Sequence, residues 1–262
     1  MDRKLSVVAN VRYQSSKGGG GGRSLKGLLR YFQYRDDRDG HIKQEQGLER
    51  WVDKGLGRNF QNVAANCDAL KSEHVQAFLF VINPNPDLIR FVPDERREEF
   101  VKDLTEQTVE AFFEARHVEG IEYSYAYHNR VTDDTEAPGR DNPHTHVVLP
   151  GTYDSFADGQ RLPLYMNRSK RENHIDMLHE VAQQKIDLLL QREVGLDWEQ
   201  RYDAWELAQE VERERVLTET LAREGLDLDA NFTLPEVIPE AVAKLDRWFA
   251  INKERKLDID FF

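Results

Sequence analysis

Two strand-like segments joined by a short polar linker constrain the fold of this chain more than any other feature. IEYSYAYH (121–128) and HTHVVLPGTY (144–153) are rich in aromatic and β-branched residues. The linker, residues 129–143, is polar and too short to contain the crossover helix that parallel neighbours require. The two segments are therefore predicted to pair as antiparallel strands.

The rest of the chain alternates between strand and helix patterns. Two more strands are predicted, at 5–13 and 74–84, and an apolar stripe of helical period predicts a helix capped by Ser24. Further helices are predicted at 47–60, 93–116, 171–195, 199–224 and 234–256. This order predicts an α+β fold, with a mainly antiparallel sheet of about five strands flanked by helices.

Charge is unevenly distributed along the chain. Residues 1–60 contain 13 lysines and arginines against seven acidic residues, although the whole chain has a formal net charge of −12. A cationic segment on an acidic chain is consistent with a local phosphate-binding face or with ordinary scatter. We predict one domain over 1–195 and an acidic, helical C-terminal extension over 196–262. The extension is either a packing appendage or a docking surface for an accessory protein.

Cysteine content and hydropathy bear on the compartment. Cys67 is the single cysteine, which excludes a disulfide framework and a cysteine-based zinc site. No stretch approaches the roughly 18 apolar residues of a membrane span, and the N-terminus lacks the apolar region of a signal peptide. We expect a cytoplasmic protein without a membrane segment.

Three histidines are candidates for a metal site at the predicted strand pair. Side chains at i and i+2 share one face of a strand, so His144 and His146 point the same way. His128 ends the preceding strand and falls beside them if the strands form a hairpin. Three neutral imidazoles on a rigid sheet make an open divalent-metal site; surface histidines are the alternative. His174 and His179, five apart on a predicted helix, are expected at the surface.

The helix after the five-glycine run carries two tyrosines among basic residues. Tyr31 and Tyr34 are spaced i, i+3 and therefore lie near one helix face. Together with a metal site, this pattern favours phosphodiester chemistry in which a tyrosine attacks phosphorus. The alternative is that both tyrosines are packing aromatics.

These two motifs together resemble those of a known family. LKGLLRYFQYRD is similar to the tyrosine-bearing segment, and YSYAYHNR…DNPHTHVVLPG to the metal motif, of the relaxases of conjugative and mobilisable plasmids. Relaxases belong to the HUH single-strand endonucleases. The resemblance covers roughly residues 5–192, and the histidine motif is its more specific part.

The resemblance implies metal-dependent, site- and strand-specific nicking and rejoining of DNA at an origin of transfer. It implies that His128, His144 and His146 hold a divalent metal, Mg²⁺ or Mn²⁺, at the scissile phosphate. A tyrosine then attacks and forms a 5′-phosphotyrosyl intermediate. The implied partners are single-stranded DNA and, as a further class, accessory mobilisation proteins.

The nucleophile is open among three tyrosines. Tyr31 is the first choice because it has the family's spacing from the preceding leucines. Tyr34 is the second choice because it directly precedes Arg35, and Tyr13, at the end of the first strand, is the third.

The chain departs from the family pattern near the first histidine. Arg130 stands where an acidic residue often orients a histidine of the metal site. Asp133, Asp134 and Asp141 are the candidate substitutes.

Basic side chains are predicted to contact the DNA backbone, and aromatic ones to stack on its bases. The basic candidates are Arg23, Lys26, Arg30, Arg35 and Arg58 near the N-terminus and Arg168, Lys170 and Arg171 after the metal strand. The aromatic candidates are Phe32 and Trp51. A core or salt-bridged role is the alternative for each.

Other classes of histidine-containing protein were compared with this pattern. A histidine-triad nucleotide hydrolase needs His-x-His-x-His, and position 148 is valine. A replication initiator or transposase would use a tyrosine after the histidines, for which Tyr153, Tyr165 and Tyr202 are available. A catalytically inactive DNA-binding descendant is the alternative outside the enzymes.

Overall fold

The computed structural model describes residues 7–17, 24–34, 51–132, 140–169 and 171–223. The strands are β1 (Val7–Ser15), β2 (Trp51–Lys54), β3 (Val75–Pro84), β4 (Tyr123–Thr132), β5 (Arg140–Pro150), β6 (Thr152–Ser155) and β7 (Gln160–Pro163). The helices are α1 (Leu25–Tyr34), α2 (Phe60–Ala69), α3 (Pro86–Ile89), α4 (Asp94–Ala115), α5 (His174–Glu193) and α6 (Trp198–Arg223). Within the described ranges, none of the helices has the length and apolar character that crossing a bilayer requires.

Five strands form one antiparallel sheet in the order β1-β3-β5-β4-β2. The pairing of β4 with β5, which runs from Ser124 opposite Val148 to Thr132 opposite Arg140, is the antiparallel pair expected from the short linker. Because helices flank this sheet, the predicted α+β class with about five strands is confirmed.

The two faces of the sheet are covered by different helices. Val147 and Leu149 of β5 face the same way as Phe80 of β3 and pack with α4 and α5; we call this side the core face. His146 and Val148, which alternate with them along β5, point the other way because successive side chains of a strand lie on opposite faces. This second side carries α1 and α2, and we call it the histidine face.

Aromatic packing holds the core face together. The rings of Phe80, Phe112 and Phe113 contact one another, with centroids 5.0–6.4 Å apart. All three side chains are buried, and burial of a phenylalanine contributes about 1.5–3 kcal/mol. The sheet is therefore anchored chiefly from this side.

The helices of the histidine face begin at side-chain caps. The Ser24 hydroxyl accepts from the N–H of Gly27 at 3.2 Å at the start of α1, as the cap prediction requires. Asn59 does the same for α2, accepting from the N–H of Asn62 at 2.9 Å. Leu25, Leu29 and Phe32 form the buried side of α1, so the helix lies with its apolar stripe on the sheet.

The helix predicted over 47–60 is wrong for its described part. Trp51–Lys54 forms β2, which pairs with β4. The Asp53 carboxylate then accepts from the N–H groups of Gly55 and Gly57, at 2.9 and 2.8 Å. Both glycines have positive φ, 101° and 126°, which costs a glycine little. The chain therefore turns here, and α2, which was not predicted, follows. Residues 47–50, the start of the predicted helix, lie outside the described residues.

The strand predicted over 144–153 ends earlier than expected. β5 ends at Pro150. A Cβ at the next residue, Gly151, would lie 1.9 Å from the carbonyl oxygen of Val75, so only glycine fits there. The chain continues as a separate ribbon of β6 and β7, which was not predicted.

The chain divides into a unit of residues 1–202 and a second unit of residues 203–262. Trp198, just past the predicted boundary at 195, is buried in the core of the first unit. The second unit is described to residue 223, as the continuation of α6. The helix predicted over 234–256 lies outside the described residues, and the two-domain division at 195 stays a prediction.

Candidate metal centre

Strands β4 and β5 bring the three predicted histidines together. His128 lies directly opposite His144, and His146 lies opposite Ala126. All three side chains point to the histidine face, because the residues that alternate with them belong to the core face. The hairpin condition on which the third histidine depended is therefore met.

The three imidazoles form a compact, buried cluster. Ring centroids of the three pairs are 4.8–5.2 Å apart, and one ring nitrogen from each residue lies within 4.8 Å of the others. The exposed fractions are 0%, 5% and 7% for His128, His144 and His146. Three buried imidazoles converging on one point are the donor set of an open transition-metal site.

Backbone carbonyls orient two of the imidazoles. Nδ1 of His144 donates to the carbonyl oxygen of Asn142 at 2.9 Å, and Nε2 of His128 donates to the carbonyl oxygen of Phe32. A carbonyl can only accept, so each bond places a proton on that nitrogen and leaves the lone pair on the other. This is how ligating histidines are commonly held.

Sequence analysis looked for a carboxylate in this orienting role and did not consider backbone carbonyls. Asp133 and Asp134 lie outside the described residues, and the side chain of Asp141 is likewise not described. Sequence reasoning had no signal for this, since every residue carries a carbonyl and only the fold decides which one meets an imidazole.

Phe32 closes the cluster from above. Its ring stacks on His146, with centroids 4.1 Å apart and an interplanar angle of 6°, and it meets His128 edge-on at 6.5 Å. Only 5% of Phe32 is exposed, so the prediction that it stacks on bases is wrong. Trp51 is equally buried and donates to Gln33 at 3.2 Å, so its predicted stacking role is also wrong.

The helix that carries Phe32 also carries the two candidate tyrosines. The ring of Tyr31 is 6.4 Å from that of Phe32. The hydroxyl of Tyr34 accepts from Nε2 of Gln33 at 3.0 Å, and its ring meets Phe60 edge-on at 6.1 Å. Both side chains are half-buried. Phe32 thus joins the tyrosine-bearing helix to the histidine cluster.

The remaining tyrosines of the sheet belong to the core face. Tyr13 lies on the same side of β1 as Val7, Ala9 and Val11, which belong to the core face, and it is 66% exposed. Tyr123 and Tyr125 are buried there. Burial raises the pKa of both phenols above the ordinary value, and for Tyr125 a hydrogen bond to Glu106 adds to the effect. Neither tyrosine suits a nucleophile.

The predicted basic contacts divide between two regions. Lys26 and Arg30 are exposed on α1, and Arg58 is exposed before α2 with Asp53 3.9 Å away. Arg168 and Arg171 are exposed in the segment before α5, the helix that packs on the core face. Arg23, Arg35 and Lys170 lie outside the described residues. The structure therefore places only the first group beside the histidine face, and the DNA contacts stay a prediction.

His174 shows where the histidine predictions failed. It was expected at the surface but is buried, with 3% exposed. Its Nδ1 accepts from the N–H of Asn167 at 3.0 Å, and its Nε2 lies 3.0 Å from the Glu172 carboxylate. These contacts tie the segment before α5 to the first residue of that helix.

No protein-family model and no curated protein matches the sequence. A comparison with solved structures returned complexes of the conjugative relaxase TrwC. One, with a 27-mer DNA comprising the recognition hairpin and the cleavage site, has a TM-score of 0.45 and 16% identity, covering 94% of this chain and 98% of that one. A metal-bound complex with OriT DNA has a TM-score of 0.41 and 14% identity, covering 86% and 87%.

Proposed function

We propose that this protein nicks and rejoins single-stranded DNA at an origin of transfer, through a 5′-phosphotyrosyl intermediate, with the help of a divalent metal. The observation that carries the proposal is the cluster of His128, His144 and His146 beneath the tyrosine-bearing helix α1. A metal cluster alone would fit many hydrolases. Its junction with α1 is what favours tyrosine chemistry.

The residues present fit a divalent metal. Metal–nitrogen bonds are about 2.0–2.1 Å, so the three nitrogens, now within 4.8 Å of one another, need only small side-chain movements to share one ion. When bound, the metal supplies positive charge to the non-bridging oxygens of the scissile phosphate. We propose Mn²⁺ or Mg²⁺ as the ion, of which Mn²⁺, a first-row transition metal, is the better match to three imidazoles. Single-stranded DNA is the proposed partner.

Tyr31 is the proposed nucleophile and Tyr34 the second candidate. The phenol gives up its proton as its oxygen attacks phosphorus and the bond from phosphorus to the 3′ oxygen breaks. The leaving 3′ oxygen takes up one proton to become a free 3′-OH, so protons balance over the step. Attack of a 3′-OH on the phosphotyrosyl bond reverses the step and rejoins the strand. Tyr31 is favoured because it has the spacing from the preceding leucines that the resemblance to relaxases implies.

Exposed cations on α1 support the binding of a polyanion. Lys26 and Arg30 project from the same short helix as the tyrosines. Their charges attract DNA and position its backbone without selecting a sequence. We therefore propose that the DNA strand runs along α1.

The downstream tyrosines favour this proposal over a replication initiator or transposase. Tyr153 and Tyr202 pack against the core face, away from the histidines. Tyr165 is 64% exposed, and its carbonyl accepts from Arg116, whose guanidinium lies over Phe112 and Phe113 of the core face. All three tyrosines thus contact the core face or lie beside residues that do, whereas the histidines are on the opposite face of the sheet.

An adduct assay tests the proposal. The protein is incubated with a randomised pool of single-stranded oligonucleotides and Mn²⁺ or Mg²⁺, and covalent adducts are located by mass spectrometry. We expect adducts on Tyr31, loss of adducts in Tyr31→Phe, and no loss in the matched control Tyr165→Phe. Adducts that persist in a Tyr31→Phe, Tyr34→Phe double variant would refute the nucleophile.

The same assay separates an enzyme from an inactive descendant. The wild type should lose its adducts when EDTA is added, and His146→Ala should form none. A protein that binds the pool but forms no adduct with either metal supports the inactive DNA-binding descendant instead.

A further inference from the structure

A cavity of about 410 Å³ opens at the start of α1. It lies between that helix, α2 and the paired ends of β1 and β3 on the histidine face. Its volume is within the range of about 300–1,000 Å³ typical of small-ligand sites. The lining combines amide and hydroxyl side chains with apolar surface and holds one charged group, on Lys26. It comprises Gln14, Ser15, Ser16, Ser24, Leu25, Lys26, Gln61, Ala64, Ala65 and Gln76.

A β-bulge directs Gln76 into this cavity. The register of β1 and β3 shifts between Gln14 opposite Ala77 and Ser15 opposite Val75, so Gln76 is the extra residue. By simple alternation it would share a face with Phe78 and point to the core face. The bulge instead lets it line the cavity beside Gln14, and bulges of this kind commonly re-aim a side chain near functional sites.

Three primary amides therefore meet in one cavity. Each of Gln14, Gln61 and Gln76 offers two donors and one acceptor, and within the described part of the chain no hydrogen bond engages these side-chain amides. Leu25 and Ala64 supply an apolar wall. Neutral amides around an apolar wall match the edge and face of a nucleobase, whereas a phosphate would be matched by cationic side chains.

The cavity is on the same surface as the histidine cluster. Gln14 lies four residues along β1 from Asn10, a distance of about 13 Å at the rise of a strand. Asn10 is opposite Val81, and Val81 is opposite His146. A strand of DNA whose scissile phosphate reaches the histidines can thus place a base in the cavity a few nucleotides away.

We infer that this cavity is a recognition subsite for one unstacked base of single-stranded DNA, with adenine as the best match. Glutamine pairs with adenine through a donor and an acceptor on one edge, and Lys26 at the rim is placed to meet the adjoining phosphate. This inference rests on the proposed function for the identity of the polymer. To that function it adds the part of the protein that recognises the base sequence of the DNA.

The test measures binding without cleavage. Affinities of the Tyr31→Phe, Tyr34→Phe double variant for short oligodeoxyadenylate and for an abasic oligomer of equal length are compared in EDTA. We expect about tenfold tighter binding of the oligodeoxyadenylate, the discrimination typical of one amide–base pair. Adding Gln14→Met and Gln76→Met should reduce this ratio towards one without weakening the abasic oligomer.

Two controls sharpen the result. Gln160→Met, on β7 outside the cavity and exposed, should leave the ratio unchanged, and Lys26→Met should weaken both oligomers equally. Gln61→Met, at an exposed position, repeats the test if the double glutamine variant fails to fold. A ratio of one in the parent protein, an unchanged ratio in the glutamine variants, or equal loss for both oligomers each overturns the subsite.

Failure of this subsite and failure of the proposed function give different results. The binding ratio needs neither metal nor tyrosine, so a glutamine-dependent ratio without adducts in the nicking assay leaves the subsite standing and removes the nuclease. Adducts at Tyr31 without a glutamine-dependent ratio would support the nuclease and remove the subsite.

Discussion

The two faces of the central sheet have different chemistry, although the same strands build both. The core face is lined with aromatic and aliphatic side chains beneath α4 and α5. The histidine face buries a smaller apolar cluster beneath α1 and α2 and adds three imidazoles and a polar cavity. The difference indicates that most of the free energy of folding comes from the core face. The protein can therefore bear the cost of burying polar groups on the histidine face.

The largest expected effect is on the core face. Phe80→Ala removes a ring that contacts Phe112 and Phe113, and truncation of a buried phenylalanine costs about 3–5 kcal/mol. Denaturant unfolding measures this loss. Val81→Ala, the next residue of β3 but on the histidine face and half-buried, is the matched control. Equal losses for the two variants would contradict the division between the faces.

The second effect belongs to the histidine face. A ligand that binds only the folded protein stabilises it by about 2.7 kcal/mol at a free concentration 100 times its Kd, so Mn²⁺ should raise the Tm of the wild type. His146→Ala should abolish that increase. A wild-type response in His146→Ala would separate the histidines from the metal site, whereas His174→Ala, on the core face, should keep the response.

Thr145 allows the core face and the histidine face to be compared at three consecutive residues of β5. It lies between His144 and His146 but points to the core face, where its hydroxyl is 2.7 Å from that of Thr105. Thr145→Val should cost about 1 kcal/mol, because Thr105 keeps its bond to the carbonyl of Val101. The Mn²⁺ response, followed by thermal unfolding, should be unchanged. A lost response would show that the two faces are coupled through β5.

The smallest effect concerns pH. Arg96 and then Arg192 hold the pKa of the Glu193 carboxyl below its ordinary value, and the Arg96 ion pair joins α4 to α5. A carboxyl with a lowered pKa stabilises the fold at pH values above its unfolded pKa, about 4.3, and this contribution is lost as pH falls through the folded pKa. Glu193→Gln should flatten this decline, measured by urea unfolding over a pH series. An unchanged slope would remove Glu193 from the acid response.

Helix positions follow from the sequence where a local pattern suffices. The apolar stripe after Ser24 predicted α1, and the pattern after Pro93 predicted α4, which the structure gives as Asp94–Ala115. Trp51–Lys54 was misread because four residues carry no clear period. These residues form a strand because β4 offers them hydrogen-bonding partners.

The candidate site divides in the same way. His128, His144 and His146 were found from spacing and one pairing assumption, and the structure brings them together. Phe32, which stacks on His146, was offered as a base-stacking residue with a core role as the alternative. A buried aromatic and a base-stacking aromatic look alike in a sequence, since the difference is which surface covers the ring.

The sequence by itself determined which side chains share a face, because alternation along a strand and the turn of a helix are properties of the local backbone. It thereby determined the two-histidine face of β5 and the tyrosine-bearing side of α1. Only the tertiary structure decided what those faces meet: a carbonyl of α1 on His128, a phenyl ring on His146, and Gln76 re-aimed by a bulge. These contacts join segments far apart in the chain, and their energies depend on packing and register that no local pattern encodes.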